Sequence, residues 1–370
     1  MIVICSFLLK EVSKLSKIVL VSQSLRRGGA ERVISNLSHE LTRQGHQVYI
    51  ILFQNEISYD YSGELICINS SPSKSSLKKM CEFMFRVVKL RLLFSKLQPN
   101  KIISFTESAN FPTIMTLKSC VVSIRNNPNE KLNRWQKAFV RLLYRFPNVR
   151  NVVAVSKEIE RSLNSGYGIN NTVTIVNGIN RSLIESKLRE KPSDFDLTEN
   201  NYLLAVGRLD YQKGYEQLIS SYSKSSFFGL IPLVILGSGR LYSELRQLCL
   251  SLGAEDFVIF KGSVDNPFYY MSNSHAYIMS SKFEGFPNSL LEAMSCGALC
   301  FSTDCPTGPS EMIRHGCNGY LVESSNLGID RIFTILERLE DGEKLDIRLN
   351  AKKILDTHDN RIVCSRWSNL

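Results

Sequence analysis

The chain has 370 residues, 44% of them hydrophobic, and a formal net charge of +10. This is the composition of an ordinary globular protein of about two domains, and it excludes a small fold that depends on disulfide staples. No apolar run approaches the roughly 20 residues of a membrane-spanning helix.

The positive charge is concentrated in the first half of the chain. Residues 1–200 contain 29 Lys/Arg and 16 Asp/Glu, whereas residues 201–370 contain 16 and 19. Such an asymmetry suggests that the first half faces an anionic partner, such as a membrane or nucleic acid. The ten cysteines form no C-x-x-C pair and the five histidines stand apart from them. We therefore expect reduced thiols in a cytosolic protein and no zinc site.

The opening segment MIVICSFLLK is apolar, but it lacks a basic n-region and a cleavage site for a signal peptidase. We interpret it as something other than a signal peptide. It is either a short interfacial anchor or an extension before the first strand, and the sequence leaves both alternatives open.

Short β-branched runs alternate with helical patterns along the rest of the chain. Thirteen strands are predicted, beginning near Lys17, His46, Glu64, Asn100, Cys120, Asn151, Thr172, Tyr202, Pro232, Phe257, His275, Ala298 and Gly319. Continuous apolar strands that alternate with helices indicate parallel sheets covered on both faces. A polar stretch around residues 180–200 separates two such series, which predicts two doubly wound α/β domains. Ligands of such sheets bind beyond the carboxyl ends of the strands, so the cleft between the domains is the expected site.

After the first strand, Gly28 and Gly29 lead into an amphipathic helix whose inward positions include Val33, Ile34 and Leu37. A tight turn alone would explain the two glycines. Facing the cleft, the same turn would also aim the positive end of a helix at an anion.

Two basic segments follow in the first half. In residues 131–146 an apolar stripe lies beside a basic stripe, and residues 74–101 contain eight Lys/Arg and one acid. The apolar stripe consists of Trp135, Phe139, Leu142 and Phe146. Each segment also fits a core-packed helix with a solvated basic edge. Together with the charge asymmetry, the two favour helices that lie on an anionic membrane surface.

Two strand ends in the second half carry candidate phosphate-binding residues. GRLDYQKG follows the eighth strand and presents Arg208 and Lys213, whose guanidinium and ammonium groups suit a diphosphate. Solvated cations on a surface loop are the alternative. Gly237 and Gly239 follow the ninth strand and would let the backbone approach a ligand closely.

The stretch SKFEGFPNSLLEAMSCGA places Glu284 and Glu292 around a helix start. Pro287 suits the first helical turn, and the apolar stripe that begins at Leu290 ends at a glycine stop, Gly297. We expect Glu284 in the preceding loop and Glu292 on the opposite side of the helix from Leu290, with both facing the cleft. Carboxylates accept hydrogen bonds from vicinal hydroxyls, so cations and acids together predict a sugar nucleotide as ligand.

Taken in order, GRLDYQKG, GSG, FEGFPNSLLEA and STDCPTGPSEMIRHGCNGYLV resemble the retaining glycosyltransferases of family 4, of the polysaccharide and O-antigen assembly type. The resemblance covers nearly the whole chain and implies the GT-B fold, with two Rossmann-like domains facing across a cleft. Residues 17–185 are expected to form the acceptor-side domain and residues 198–350 the nucleotide-sugar domain. A C-terminal helix within residues 351–370 is expected to return to the first domain.

The resemblance also implies roles for single residues. Arg208 and Lys213 resemble the pair that binds the donor diphosphate, Glu284 the group that contacts the transferred hexose, and Glu292 the group that binds the ribose. The turn beside sugar and phosphates corresponds to Gly285, Phe286, Pro287 and Asn288, and the glycine loop at the donor phosphate to Gly28 and Gly29. Many members have a histidine after the fifth strand, whereas this chain reads SIRNNP. We assign to the acceptor side Glu107, Arg125 and Asn126.

These implications predict a retaining hexosyltransferase that is cytoplasmic and peripheral on the inner face of the plasma membrane. It would move a hexose or an N-acetylhexosamine from a nucleotide diphosphate, with UDP expected, to a lipid-linked glycan in surface polysaccharide biosynthesis. No D-x-D motif occurs, so we expect no metal and no other cofactor. The alternative is a GT-B-like sugar-nucleotide epimerase. A glycan phosphorylase lacks support because the chain has no pyridoxal-phosphate lysine signature, and nucleic-acid binding lacks a motif beyond the charge.

Overall fold

The computed structural model describes residues 15–26, 28–70 and 75–370, so the apolar opening segment lies outside the described residues. The described chain forms two parallel sheets. The first has seven strands in the order β3-β2-β1-β4-β5-β6-β7, and the second has six in the order β10-β9-β8-β11-β12-β13. We call the first sheet with its helices the first lobe, the second sheet with its helices the second lobe, and the surface where they meet the seam.

All thirteen predicted strands are confirmed. They are β1 (Lys17–Ser22), β2 (Gln47–Leu52), β3 (Glu64–Cys67), β4 (Lys101–Phe105), β5 (Cys120–Ile124), β6 (Val149–Ala154), β7 (Thr172–Thr174), β8 (Leu203–Val206), β9 (Leu233–Leu236), β10 (Val258–Gly262), β11 (Ala276–Met279), β12 (Cys300–Thr303) and β13 (Tyr320–Val322).

Sixteen helices connect and cover these strands in the described part of the chain. The first lobe and the linker contain α1 (Gly29–Arg43), α2 (Ser76–Leu97), α3 (Glu107–Met115), α4 (Pro128–Lys131), α5 (Arg134–Leu143), α6 (Lys157–Tyr167) and α7 (Arg181–Arg189). The remainder of the chain contains α8 (Tyr215–Tyr222), α9 (Tyr242–Ser251), α10 (Pro267–Ser272), α11 (Asn288–Ser295), α12 (Pro309–Met312), α13 (Asn326–Arg338), α14 (Asp341–Lys352), α15 (Leu355–His358) and α16 (Asn360–Ser368).

Strand β1 shows why its sheet is buried on both faces. It pairs in parallel with β2 and β4, with Val19 opposite Tyr49 and Ile102. Successive side chains of a strand point to opposite faces. Accordingly, Val19 belongs to one apolar cluster and Leu20 to another, on the other side of the sheet. The first of these clusters continues across the seam into the second lobe, so apolar packing joins the two lobes.

The C-terminal helix α16 packs against α1 of the first lobe. Trp367 is buried there, with its ring 5.5 Å from that of Phe105. Lys101 Nζ also donates hydrogen bonds to the carbonyl oxygens of Trp367 and Ser368, at 3.1 and 2.7 Å. The chain therefore crosses from the second lobe back to the first before it ends.

The apolar stripe predicted for residues 131–146 is wrong at one of its four positions. Trp135, Phe139 and Leu142 are exposed, whereas Phe146 packs against the core of the first lobe. The reason is that α5 ends at Leu143, so Phe146 no longer follows the helical periodicity. No described helix has both the length and the apolarity needed to cross a membrane.

The nine cysteines of the described part are free thiols, and six of them are buried. Burial raises the pKa of Cys120 and of Cys305 to about 12. Thiols with a raised pKa carry little thiolate near neutral pH, so these two behave as small apolar side chains.

Candidate active site

The amino-terminal ends of α1 and α11 meet at the seam. Asn288, the first residue of α11, donates a hydrogen bond to the carbonyl oxygen of Gly29 at 3.4 Å. Its own side-chain oxygen accepts a hydrogen bond from Asn177, whose oxygen in turn accepts one from Arg125. A Cβ atom on Gly29 would lie 3.0 Å from the side-chain nitrogen Nδ2 of Asn288, so the turn before α1 is in close contact with the second lobe. A polar chain thus runs from Arg125 through two asparagines to the glycine loop.

Lys213 and Glu284 form an ion pair within the second lobe. Lys213 Nζ lies 2.7 Å from Glu284 Oε1, and the two side chains are only 14% and 8% exposed. The same carboxylate accepts hydrogen bonds from Ser281 Oγ at 2.7 Å and Gln212 Nε2 at 3.1 Å. Buried charges are tolerated when they are paired and hydrogen-bonded in this way. The structure therefore holds this carboxylate in a fixed orientation before any ligand binds.

The turn after Glu284 is packed directly against the first lobe. A Cβ atom on Gly285 would overlap the carbonyl oxygen of Arg125 and lie 3.0 Å from the Cα atom of Asn126. The carbonyl oxygen of Gly285 accepts a hydrogen bond from Thr307 Oγ1 at 2.8 Å, which fixes the turn from its own side. The residues predicted from SIRNNP and from FEGFPN are thus brought together.

Phe286 and Pro287 complete this turn. The Phe286 ring stacks on that of His358, with centroids 5.8 Å apart. Burial lowers the pKa of His358 to about 4, so this ring is neutral near pH 7. Pro287 precedes α11 and packs on Gly308. The two side chains brace the turn and leave its backbone at the seam.

Arg208 differs from its predicted partner Lys213. Its side chain is 68% exposed, and its guanidinium lies 3.4 Å from the carboxylate of Asp210. Exposed ion pairs of this kind contribute little stability. The guanidinium therefore remains available to an anion beyond the end of β8.

Gly237 and Gly239 have a reason to be glycine inside their own lobe. A Cβ atom on Gly237 would overlap the carbonyl oxygen of Gly207, and one on Gly239 that of Leu209. Gly237 also has a φ of +136°, a backbone angle that residues other than glycine rarely adopt. Close packing of the loops after β8 and β9 thus requires both glycines, whether or not a ligand approaches them.

Glu292 lies one turn into α11 and is buried. Its carboxylate forms an ion pair with Arg32, which belongs to α1 of the first lobe. Both residues line a cleft of about 520 Å³, together with Tyr59, Phe268 and Asn288. Leu290 on the other side of the helix is buried too, so α11 is enclosed between the two lobes. The sequence patterns that predicted Glu292 contain no signal for Arg32.

Glu31 is a second charged residue that the sequence patterns did not single out. Its carboxylate folds back over Gly28, where an added Cβ atom would overlap it. Burial raises the pKa of Glu31, against the opposing effects of Arg26, Arg208 and Arg125. Burial also lowers the pKa of Arg125 to about 9, with Glu31 opposing the shift. One carboxylate therefore lies among cations of both lobes at the glycine loop.

Glu107 begins α3 directly after β4. Because β4 lies between β1 and β5, Glu107 stands at the same sheet edge as Gly28 and Arg125. Burial raises the pKa of this carboxyl group. Its position fits the predicted acceptor side, and among the described residues its side chain forms no hydrogen bond or ion pair with the second-lobe turn.

The site as a whole has two kinds of polar group. The glycine loop, Arg208 and Lys213 can bind phosphate oxygens, whereas Glu284 and Glu292 can accept hydrogen bonds from hydroxyls. Within the described ranges no three His, Cys, Asp or Glu residues cluster as metal ligands would.

Two family models match the chain in succession. The model described as Glycosyltransferase Family 4 matches residues 27–183, and that described as Glycosyl transferases group 1 matches residues 186–354. The two matched ranges correspond closely to the first and second lobes.

Curated relatives carry related names. A Campylobacter jejuni protein is 29% identical over 351 residues, 90% of this chain and 92% of its own. It is named N-acetylgalactosamine-N,N'-diacetylbacillosaminyl-diphospho-undecaprenol 4-alpha-N-acetylgalactosaminyltransferase. A lipopolysaccharide 1,6-galactosyltransferase of Salmonella typhimurium is 35% identical over 161 residues, 42% of each chain.

Solved structures match the architecture. The Anabaena protein HepE, crystallised with UDP and glucose, superposes with a TM-score of 0.80 at 19% identity and covers 96% of this chain and 98% of its own. At this identity, the structural similarity establishes the fold of the chain and does not identify its ligands.

Proposed function

The chain belongs to the family 4-like glycosyltransferases of the GT-B fold, and from its cleft we propose a retaining enzyme that transfers a hexose or N-acetylhexosamine. The proposed donor is a nucleoside diphosphate sugar with UDP as its nucleotide. The proposed acceptor is a lipid-linked glycan of surface polysaccharide biosynthesis.

The observation that carries the proposal is the buried Lys213–Glu284 pair at the seam. An ammonium group has three N–H donors, and Glu284 engages one of them, so others remain for a phosphate oxygen. The carboxylate is fixed by Ser281 and Gln212 and can accept hydrogen bonds from sugar hydroxyls. A phosphate site and a hydroxyl site thus adjoin, which is the order of groups in a sugar diphosphate.

In the proposed mechanism the bond between the sugar and phosphate loosens first, and positive charge develops on the sugar. Arg208 and Lys213 stabilise the negative charge that develops on the departing diphosphate. The acceptor hydroxyl attacks from the face that the phosphate leaves, and a phosphate oxygen accepts its proton. The new bond therefore has the configuration of the old one. The chain's own cations neutralise the diphosphate, so we propose that transfer needs no metal.

The proposals for donor and acceptor are supported by similarity. The Anabaena structure contains UDP and glucose, the Campylobacter relative is named for a diphospho-undecaprenol substrate, and the Salmonella relative is named for lipopolysaccharide. We extend UDP and a lipid-linked acceptor to this chain on those grounds.

Two exposed apolar stripes support a peripheral attachment to membranes. On α5, Trp135, Phe139 and Leu142 are 78%, 49% and 61% exposed. On α2, five exposed apolar residues recur every three or four positions along one side of the helix, and the exposed Phe85 lies beside them; the five are Leu77, Met80, Met84, Val88 and Leu92. Lysines and arginines accompany both stripes. Apolar stripes with basic neighbours are typical of helices that lie in an anionic membrane interface.

The proposed function is tested by incubating the purified chain with membranes that carry lipid-linked glycans and a panel of labelled UDP-sugars. We expect one sugar to label the lipid fraction. Lys213→Ala and Glu284→Gln should each lower the rate by about a hundredfold or more, since each removes a charge placed at the reacting groups. Undiminished transfer by both variants would refute the site. Sugar isomerisation without acceptor would favour the epimerase.

A further inference from the structure

The carboxylate of Glu292 has a partner that belongs to the other lobe. Its side chain is only 9% exposed, and a carboxylate that is buried to this degree requires a cation or hydrogen-bond donors. In residues 15–26, 28–70 and 75–370, the ion-pair partner of Glu292 is Arg32. Arg32 lies in the first turn of α1, after the glycine loop.

Arg32 is itself held in place by aromatic rings from both lobes. Its guanidinium carbon lies 5.4 Å from the centre of the Tyr59 ring and 6.0 Å from that of Phe268. Both distances allow a cation–π attraction. Tyr59 belongs to the first lobe and Phe268 to α10 of the second, so the guanidinium is confined at the seam.

The Arg32–Glu292 pair lies at the cleft between the lobes. Arg32 contacts Oε1 of Glu292, and both side chains line the cleft. The adjoining cleft of about 520 Å³ provides room for a ligand beside these atoms. A vicinal diol binds well to a carboxylate only when the carboxylate has a fixed orientation, because each of two hydroxyls must meet an oxygen lone pair.

Resting on the proposed function, we propose that Arg32 is a positioning residue of the donor site, which holds the Glu292 carboxylate from the opposite lobe in the orientation that accepts the ribose hydroxyls. Because the two partners come from different lobes, the pair exists only when the lobes are close together. The ribose is therefore bound fully only in the closed chain, and recognition of the nucleoside is coupled to closure.

The test measures the affinity of the full chain for UDP and for 2′,3′-dideoxy-UDP by calorimetry. The wild type should bind UDP about tenfold or more tightly than the dideoxy analogue, as expected for hydrogen bonds to a charged acceptor. Arg32→Met should weaken UDP binding to near the level of the analogue and leave the affinity for the analogue almost unchanged. Arg32→Lys should recover most of the preference, because it restores a cation.

A matched control is Arg43→Met at the other end of α1. Arg43 pairs with Glu40 of the same helix at 2.5 Å, so this variant removes an Arg–Glu pair that does not cross the seam. It should bind both nucleotides as the wild type does. The double variant Arg32→Met/Glu292→Gln should show no greater loss than Glu292→Gln alone, since both changes remove the same interaction.

The outcomes separate this inference from the function on which it rests. If the wild type prefers UDP and Arg32→Met retains the full preference, the role of Arg32 is refuted while the proposed donor stands. If the losses of the two single variants add in the double variant, the positioning role is likewise refuted. If the wild type binds neither nucleotide, the proposed donor and this inference fail together.

Discussion

The two lobes hold their charged site residues in different ways. In the second lobe, Glu284 is fixed by Lys213, Ser281 and Gln212, all of the same lobe. In the first lobe, Arg32 finds its partner across the seam. The difference teaches that Lys213 and Glu284, the groups proposed to bind phosphate and sugar, are already held within the second lobe, whereas the orientation of Glu292 by Arg32 depends on closure.

A further seam contact follows the same rule. The carboxylate of Glu311, on α12, accepts hydrogen bonds from the backbone N–H groups of Lys157 and Glu158 at 3.0 and 3.2 Å. These groups begin α6 of the first lobe, where unsatisfied N–H groups favour a carboxylate. The seam thus has polar contacts that exist only while the lobes are close, and they lie on both sides of the turn that follows Glu284.

The largest expected effect comes from Gly285→Ala, which leaves the second-lobe charges intact and obstructs closure. The added Cβ atom would overlap the Arg125 carbonyl oxygen of the first lobe, and backbone cannot yield as a flexible side chain can. Because small misplacements of reacting groups are costly, we expect transfer to fall by about a hundredfold. Rates of transfer and small-angle scattering with UDP present measure activity and closure.

The control for this variant is Gly342→Ala in α14, where an added Cβ atom meets nothing within 4 Å. It should transfer sugar as the wild type does and gain slightly in stability. Wild-type transfer by Gly285→Ala would show that the first lobe contributes little at this contact, and the comparison between lobes would fail.

The next effect tests whether the second-lobe charges are held as tightly as their burial implies. Lys213→Met leaves the Glu284 carboxylate nearly buried without its cation, which costs about 3 kcal/mol of the free energy of unfolding. Lys344→Met is the matched control, because Lys344 pairs at 3.1 Å with a fully exposed Asp341 and its loss costs below about 1 kcal/mol. Urea unfolding measures both, and equal midpoints would contradict a preformed site.

A pH effect of similar or smaller size concerns His358, in the segment that returns to the first lobe. Its pKa is lowered by burial from 6.5 to about 4, so the unfolded chain takes up the proton more readily than the folded one. The resulting stability is complete above pH 6.5 and is lost as the pH falls toward 4, by about 3 kcal/mol in all.

His358→Phe keeps a ring against Phe286 and should lack this part of the acid sensitivity. Measurements of urea midpoints between pH 4 and 7 compare the variant with the wild type. A wild-type slope in His358→Phe would place the acid-sensitive group elsewhere.

Much of this arrangement could be predicted from the sequence, because it is set by local patterns. Continuous apolar runs identified every strand, and the FEGFPN turn placed Glu284 ahead of a helix that begins at Asn288. The motif GRLDYQKG singled out Lys213 without revealing that it would contact Glu284, 71 residues later. The sequence predicts that Gly237 and Gly239 contact a ligand, whereas the packing of neighbouring loops already requires both glycines.

The seam could not be predicted in the same way, because its contacts join residues that no period or motif relates. Arg32 and Glu292 belong to two amphipathic helices of different lobes, and only the docking of the lobes brings them together. The same holds for Asn177 and Asn288, which are 111 positions apart. The position of Arg32 in the first helical turn after a glycine loop places a charge near the site, but the sequence does not identify Glu292 as its partner.

The smallest effect concerns the outer surfaces of the lobes, where the first is basic and the second is not. Replacement of Trp135, Phe139 and Leu142 by serine removes the exposed apolar stripe of α5, and we expect binding to anionic vesicles to weaken about tenfold or more.

Leu345→Ser/Leu349→Ser is the control, because these leucines are 57% and 55% exposed on the second lobe. Vesicle sedimentation at two salt concentrations measures both, with weaker binding at high salt for a basic surface. Equal losses in the two proteins would mean that exposed apolar area alone governs adsorption, and the basic first lobe would then have no special role at the membrane.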